Sequence, residues 1–300
     1  MRWVKISAIL FLRSTGKKPD RKGSLSEGIR MAKISQKQYE EYRRALKRMR
    51  MLDDTLMKCV FKDCKPAVEQ MLRIILSRDD LIVENFSIGK EYKNLRGHSI
   101  CMDILAVDRD GKHYNIEVQR DDRGADPRRS RFYAGMMDVE MLGKGDDYST
   151  LRDAYVIFIT ENDIFNEGKP FYKFERVNRE NGKTLGDGSY IIYVNGAYTG
   201  DDPFGWLMND FRETDPAKMH FAVFAERVNY LKNDTKGEKE MCKIMEELIE
   251  EGRQEGRLEG IKALIEVCRE LGQTDEQVIE KVSSKYHLSK KEAAKYVYAE

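Results

Sequence analysis

One stretch constrains this chain more than any other: His98 to Arg120, HSICMDILAVDRDGKHYNIEVQR. Two short β-rich runs flank an Asp110-Gly111 turn, and each carries an acid among apolar neighbours. Asp103 sits among Ile100, Cys101, Met102, Ile104 and Leu105; Glu117 sits between Ile116 and Val118. A carboxylate inside a strand is costly unless it is paired or bound to a metal. Hairpin register decides whether the two can cooperate. A two-residue loop at Asp110-Gly111 would pair Asp103 with Val118 and put the acids on opposite faces. A three-residue loop over 109–111, with Gly111 in the left-handed bulge conformation, pairs Asp103 with Glu117 instead. Directly opposed residues have Cβ atoms ~5 Å apart, close enough to share one cation. Cys101 and Gln119 would then form the next opposed pair on that face.

Two hard oxygen ligands on rigid strands suit Mg2+, which takes one or two protein carboxylates together with waters and substrate phosphates. On this reading Asp103 and Glu117 are the ligands, the main-chain carbonyl of Val118 is a third, and Gln119 orients an attacking water. The competing reading is two exposed acids on an edge strand, paired with lysines. Spacing alone leaves both open.

Around the hairpin the chain alternates helical and strand patterns. A helical stripe over 34–51 (Tyr39, Tyr42, Leu46, Met49) lies on a basic background, read either as a solvated face or as a phosphate contact. Asp53-Asp54 opens a second run through Met57, Val60 and Phe61. A third runs from Pro66 to Leu76, with Glu69 and Arg73 spaced for an ion pair. A first strand is expected over 81–88. Pro127 starts a helix reaching Leu142, whose opening turns carry Arg128, Arg129 and Arg131. Cations there run against the helix dipole, and they are read either as ordinary surface residues or, beside an acidic metal site, as phosphate contacts. Ala154 to Thr160 is a continuous apolar run, expected to be a strand covered on both faces. Strand 113–120, helix 127–142 and strand 154–160 make a right-handed βαβ crossover the natural connection. Short strands are expected at 171–177 and 189–194, and a short helix at 203–211.

Residues 233–237 read as a hinge. Beyond it, amphipathic stripes are interrupted by Gly252, Gly256 and Gly260, which predict a weak or mobile helix, or one that another helix approaches closely. Two capping boxes, Thr274 to Gln277 and Ser289 to Glu292, start short helices. With their lysines these form either a small DNA-binding module or a capping and oligomerisation bundle. Three domains are therefore expected: a disordered extension over 1–30, with Met31 as the true start, a main domain over 31–232, and a helical region over 233–300. The five cysteines form no CxxC pair and the four histidines lack zinc-ligand spacing, which argues for free thiols in a reducing cytoplasm and against zinc. The net charge of +1 provides no long-range attraction to nucleic acid, so any such surface must be local.

The ordered set Met57 to Phe61, Glu69 to Leu76, Asn94 to Gly97, Asp103 to Ala106, Tyr114 to Gln119, Arg131 to Tyr133, Gly145 to Tyr148, Tyr155 to Glu161, Phe174 to Arg176 and Ile191 to Asn195 resembles the PD-(D/E)XK nuclease superfamily. Within it, the chain is most similar to the bacterial recombination-promoting nuclease and transposase family, over roughly residues 50–230. The resemblance implies an α/β fold with a mixed central sheet flanked by helices, restriction-endonuclease-like, and Mg2+-dependent DNA cleavage with Mn2+ as a substitute ion. It matches Asp103 to the motif aspartate, Glu117 to the second acid, and Glu69 to an acid that some members carry on the first core helix. Gln119 stands where the superfamily name has lysine: glutamine can orient a water but brings no positive charge. The alternative function is a catalytically weak or silent nucleic-acid-binding protein. Expected partners are DNA and, through the C-terminal helices, further copies of the chain; no membrane segment is expected.

Overall fold

The computed structural model describes residues 36–92, 100–120 and 122–298. The expected extension and the Met31 start lie outside them. Contacts group Lys33–Cys242 in one compact unit and Lys243–Glu300 in another.

In the first unit, helices α1 (Gln36–Arg48), α2 (Asp54–Phe61) and α3 (Lys65–Leu76) lead into a six-stranded sheet of β1 (Val83–Tyr92), β2 (Ile100–Asp108), β3 (His113–Gln119), β4 (Ala154–Thr160), β5 (Phe171–Phe174) and β6 (Ser189–Asn195). Helix α4 (Pro127–Met141) joins β3 to β4, and α5 (Pro203–Arg212) and α6 (Ala222–Asn233) follow the sheet. Strand order is β1-β2-β3-β4-β6-β5. The β1-β2-β3 meander is antiparallel, β3, β4 and β6 are mutually parallel, and β5 closes the far edge antiparallel to β6. The mixed α/β architecture is thus the one the sequence predicts.

The apolar run at 154–160 lies in the middle of the sheet, with Val156, Ile157, Phe158 and Ile159 fully buried. A strand covered on both faces has no polar side to alternate with. Helix α4 turns Tyr133, Ala134 and Met137 into a core with Leu105, Val156, Phe158 and Tyr193. Helix α2 is pinned by Phe61, whose ring lies 6.2 Å from that of Phe211 on α5 and 6.0 Å from that of Phe224 on α6. Its other buried residues are Leu56, Met57, Cys59 and Val60. Asp54 and Lys58 are therefore left on the stripe that faces away from this core.

Two expectations are corrected. The first strand is shifted to 83–92. The hinge over 233–237 shrinks to Asp234 alone, because this residue serves two helices. Its N–H donates to Tyr230 O at the end of α6, while its own oxygens accept the N–H groups of Lys236 (2.8 Å) and Glu238 (2.8 Å), which start α7 (Thr235–Glu270). Gly237 permits the close turn: a Cβ there would meet Tyr230 O at 2.1 Å. The basic face of α1 is partly drawn inward, with Arg43 3.0 Å and Lys47 3.7 Å from Glu238.

In the second unit α7 runs unbroken through all three glycines. At Gly260 the close-approach reading holds, since a Cβ would sit 2.5 Å from Tyr286 Oη. Helices α8 (Asp275–Tyr286) and α9 (Lys290–Val297) each begin with the expected capping box. Val278, Val282, Ala293 and Val297 pack on Ile261, Ile265 and Cys268 of α7.

Candidate active site

The β2-β3 turn has the odd-numbered loop that cooperation between the acids requires. Asp108 N–H donates to Lys112 O at 3.1 Å and Gly111 N–H to Asp108 O at 3.0 Å, leaving 109–111 as the loop. Gly111 has φ 77°, the left-handed value that a Cβ would strain. From there the ladder runs Val107↔His113, Ala106↔Tyr114, Leu105↔Asn115 and Ile104↔Ile116. One step further, Asp103 stands opposite Glu117, and the main-chain ladder ends. Each carboxylate takes over an amide that the ladder has left: Asp103 N–H donates to Glu117 Oε1 (3.2 Å), and Val118 N–H donates to Asp103 Oδ2 (3.2 Å).

Neither acid is on an exposed edge. Asp103 is 8% exposed and Glu117 0%. Burial pushes the Asp103 carboxyl up to about 6, against the pull of Lys58. Burial and the charge of Asp103 together hold Glu117 well above the ordinary carboxylate range, against Arg129. Asn115, fully buried two residues before Glu117 on the same face, leaves both polar atoms of its carboxamide without a hydrogen-bond partner among the described residues. Two like charges confined in a low-dielectric niche favour a cation between them.

Arg129 turns inward from α4. Its Nη2 lies 2.8 Å from Glu117 Oε2 and 2.7 Å from Tyr133 Oη, its Nε lies 3.0 Å from the same hydroxyl, and its Nη1 donates to Gly124 O at 2.6 Å. The guanidinium lies over the rings of Tyr133 (4.9 Å) and Phe158 (5.7 Å). Gln119 Nε2 is 3.5 Å from Glu117 Oε2. The Gln119 carboxamide is cradled by Gly124, where a Cβ would come 2.1 Å from Oε1.

Of the three arginines predicted to bind phosphate, Arg129 is thus a partner of Glu117. Arg128 and Arg131 are exposed, three residues apart on the outer face of α4, with no ion-pair partner among the described residues. Glu69 does not join the pair. It accepts Val83 N–H at 3.0 Å and faces Arg73 at 3.5 Å. Val83 pairs with Asp108, so Glu69 sits against the end of β1 opposite Asp108, which is five residues along β2 from Asp103.

Two residues that sequence reasoning passed over do reach the site. Lys58 Nζ is 2.7 Å from Asp54 Oδ1 and 3.9 Å from Asp103 Oδ1. The signal was present as a charged i,i+4 pair inside the otherwise apolar α2. A second cluster holds the start of α2 against the strand ends. Arg120 at the end of β3 contacts Asp53 (2.6 Å) and Glu161 after β4 (3.1 Å), and Arg50 also reaches Glu161 (2.8 Å).

The family model described as "PD-(D/E)XK nuclease family transposase" matches residues 64–251. The chain belongs to this family. The matched segment holds Asp103, Glu117, Gln119 and the α4 arginines, and begins after α2. No curated protein and no solved structure gives a significant match. A divalent ion is the cofactor such a family implies. Among the described residues no three His, Cys, Asp or Glu side chains cluster as a ready-made cage. The donor set nevertheless fits Mg2+, which is held by as few as one or two carboxylates with water and substrate phosphate filling the remaining positions. No helix among the described residues is long and apolar enough to cross a membrane.

Proposed function

We propose that this protein is a Mg2+-dependent DNA endonuclease. The observation that carries the reading is the opposed, buried pair of Asp103 and Glu117, whose raised carboxyl pKa values are what an incoming cation would relieve. Asp103, Glu117 and the main-chain carbonyl of Val118 would hold the ion, with Mn2+ as a substitute. When bound, it would polarise the phosphoryl group and lower the pKa of a coordinated water. In the hydrolysis the water oxygen bonds to phosphorus, one ester P–O bond breaks, and the departing oxygen takes up a proton.

The chain's own residues have separate tasks. Gln119, held by Gly124 beside the Glu117 carboxylate, orients the attacking water. Arg129 fixes Glu117 through one hydrogen bond from Nη2, its guanidinium held in turn by Gly124 O and Tyr133 Oη. Arg128 and Arg131, exposed one helical turn apart, bind phosphates of the DNA strand. Such contacts add affinity without reading sequence and weaken as salt rises.

The test is plasmid cleavage by the full chain with Mg2+, with EDTA, and with the Asp103→Ala and Glu117→Ala variants. Cleavage that needs Mg2+ and disappears in both variants is expected. Equal cleavage by wild type and variants removes these residues from the reaction. A second reading, a silent nucleic-acid-binding protein, is favoured by the neutral Gln119. It predicts salt-dependent DNA affinity without cleavage and no Mn2+ bound at the pair.

A further inference from the structure

We infer that Lys58 on α2 supplies the catalytic positive charge at this site, facing the phosphate that is cut, and that Asp54 holds it in place. The inference rests on the nuclease reading above and adds a residue outside the segment matched by the family.

Charge sets the requirement. Asp54, Asp103 and Glu117 against Lys58 and Arg129 leave one net negative charge before any substrate arrives. A phosphodiester adds another, and one divalent ion brings the assembly to neutrality. Removing one of the two cations would leave the transition state, where charge builds on the phosphoryl oxygens, uncompensated in a buried site. Of the two, Arg129 cannot face the substrate. Its donors are directed to Gly124 O, Tyr133 Oη and Glu117, and aromatic rings cover it. Gln119 is neutral and turned towards Glu117.

Lys58 has the complementary placement. Its ammonium stands between Asp54 at 2.7 Å and Asp103 at 3.9 Å, and its side chain keeps 34% exposure beside a carboxylate that keeps 11%. It therefore lies at the mouth of the niche, and an ammonium has three donors for these two neighbours. It is also fixed in position. The Phe61, Phe211 and Phe224 rings lock α2 from one side, and the Asp53-Arg120-Glu161 contacts tie its start to the strand ends. An ordinary i,i+4 pair on a helix surface contributes little and would not place a lysine beside a buried carboxylate on another element.

The experiment compares wild type with Lys58→Met, Lys58→Arg and Asp54→Asn in the full chain. It measures Mg2+-dependent plasmid cleavage, Mn2+ binding by electron paramagnetic resonance, and thermal melting. Lys58→Met is expected to lower kcat at least ~10²-fold with KM for DNA little changed, the pattern of a group acting in the transition state. Its Mn2+ affinity should be equal or higher, because a competing cation beside Asp103 is gone, and its melting point should stay close to wild type. Lys58→Arg should recover part of kcat, and Asp54→Asn should show a smaller loss. Cleavage by Lys58→Met within about 3-fold of wild type overturns the inference and leaves the nuclease reading standing. Mn2+ affinity that falls along with cleavage also overturns it, since Lys58 would then merely shape the ligand pair. Absence of cleavage by wild type sinks the nuclease reading and Lys58's role with it.

Discussion

Strand β2 carries two buried aspartates five residues apart, and they are solved by opposite means. Asp108, 2% exposed, accepts N–H groups from Asp110 and Lys112 (both 2.9 Å) and the Tyr114 hydroxyl at 2.7 Å, with Arg78 at 3.7 Å. Its donors come from its own turn and the neighbouring strand, so the acid knots the hairpin and is finished. Asp103 has one backbone donor at 3.2 Å, a lysine at 3.9 Å and a second carboxylate opposite. A buried acid ringed by donors is a structural element; one set against another acid is held in a costly state that a ligand relieves. Burial alone does not separate the two. Their partners do.

The largest effect should come from splitting the pair by activity. Asp103→Ala or Glu117→Ala is expected to reduce DNA cleavage at least ~10²-fold while the protein stays folded. Asp108→Asn, measured per folded molecule, should cleave within a few-fold of wild type. If Asp108→Asn abolishes cleavage with an unchanged melting curve, the comparison fails.

Stability should divide the other way. Asp108→Ala orphans the buried Tyr114 hydroxyl and two turn amides, and should cost ~2–4 kcal/mol in urea unfolding, or a melting point lower by roughly 5–10 °C. Asp103→Ala should cost less, because a strained charge leaves with the side chain.

pH sharpens the contrast. Asp103 titrates at about 6 in the folded protein against an ordinary 3.8. A carboxyl raised in this way leaves stability intact below the ordinary value and subtracts from it as pH rises through about 6. The upward shift of Glu117 acts in the same direction. Melting points of the EDTA-treated protein should therefore fall from pH ~4 to pH ~7 through this pair. Asp103→Asn should flatten the decline, gaining a few degrees at pH 7 and nothing near pH 4. A decline of equal slope in wild type and Asp103→Asn would place its origin elsewhere.

The sequence carried the frame of this site further than its lining. The strand runs and the α4 boundary were legible because each rests on local rules, apolar continuity and proline at the first helical turn. The loop parity at 109–111 was not, since a left-handed Gly111 suits a two-residue loop as well as a three-residue one. What else was not legible depends on which helix lies over the strand ends. Glu69 and Asp54 are both acids on helices that precede the sheet, and nothing local says that α3 meets β1 near Val83 while α2 meets Asp103. Likewise Arg128, Arg129 and Arg131 are equivalent in sequence. Only the helix phase, set by packing Tyr133 and Met137 inward, turns Arg129 towards Glu117 and its neighbours towards solvent. Asp108 was overlooked for the same reason, since its burial follows from Tyr114 and Arg78 closing over it.

The smallest expected effect tests how Gln119 is held on the Asp103 side of the comparison. A Cβ at Gly124 would meet Gln119 Oε1 at 2.1 Å and Arg129 Nη1 at 3.5 Å, so Gly124→Ala must move the carboxamide first. That atom ends a flexible side chain, so the stability cost should stay below about 1 kcal/mol. Cleavage should fall a few-fold, and Gln119→Ala should fall by at least as much. If Gly124 acts through Gln119, the double variant is no worse than Gln119→Ala alone, the non-additivity of residues sharing one contact. If the two losses multiply, Gly124 works instead through its carbonyl on Arg129, and the Glu117 clamp rather than the water-orienting amide is what this glycine protects.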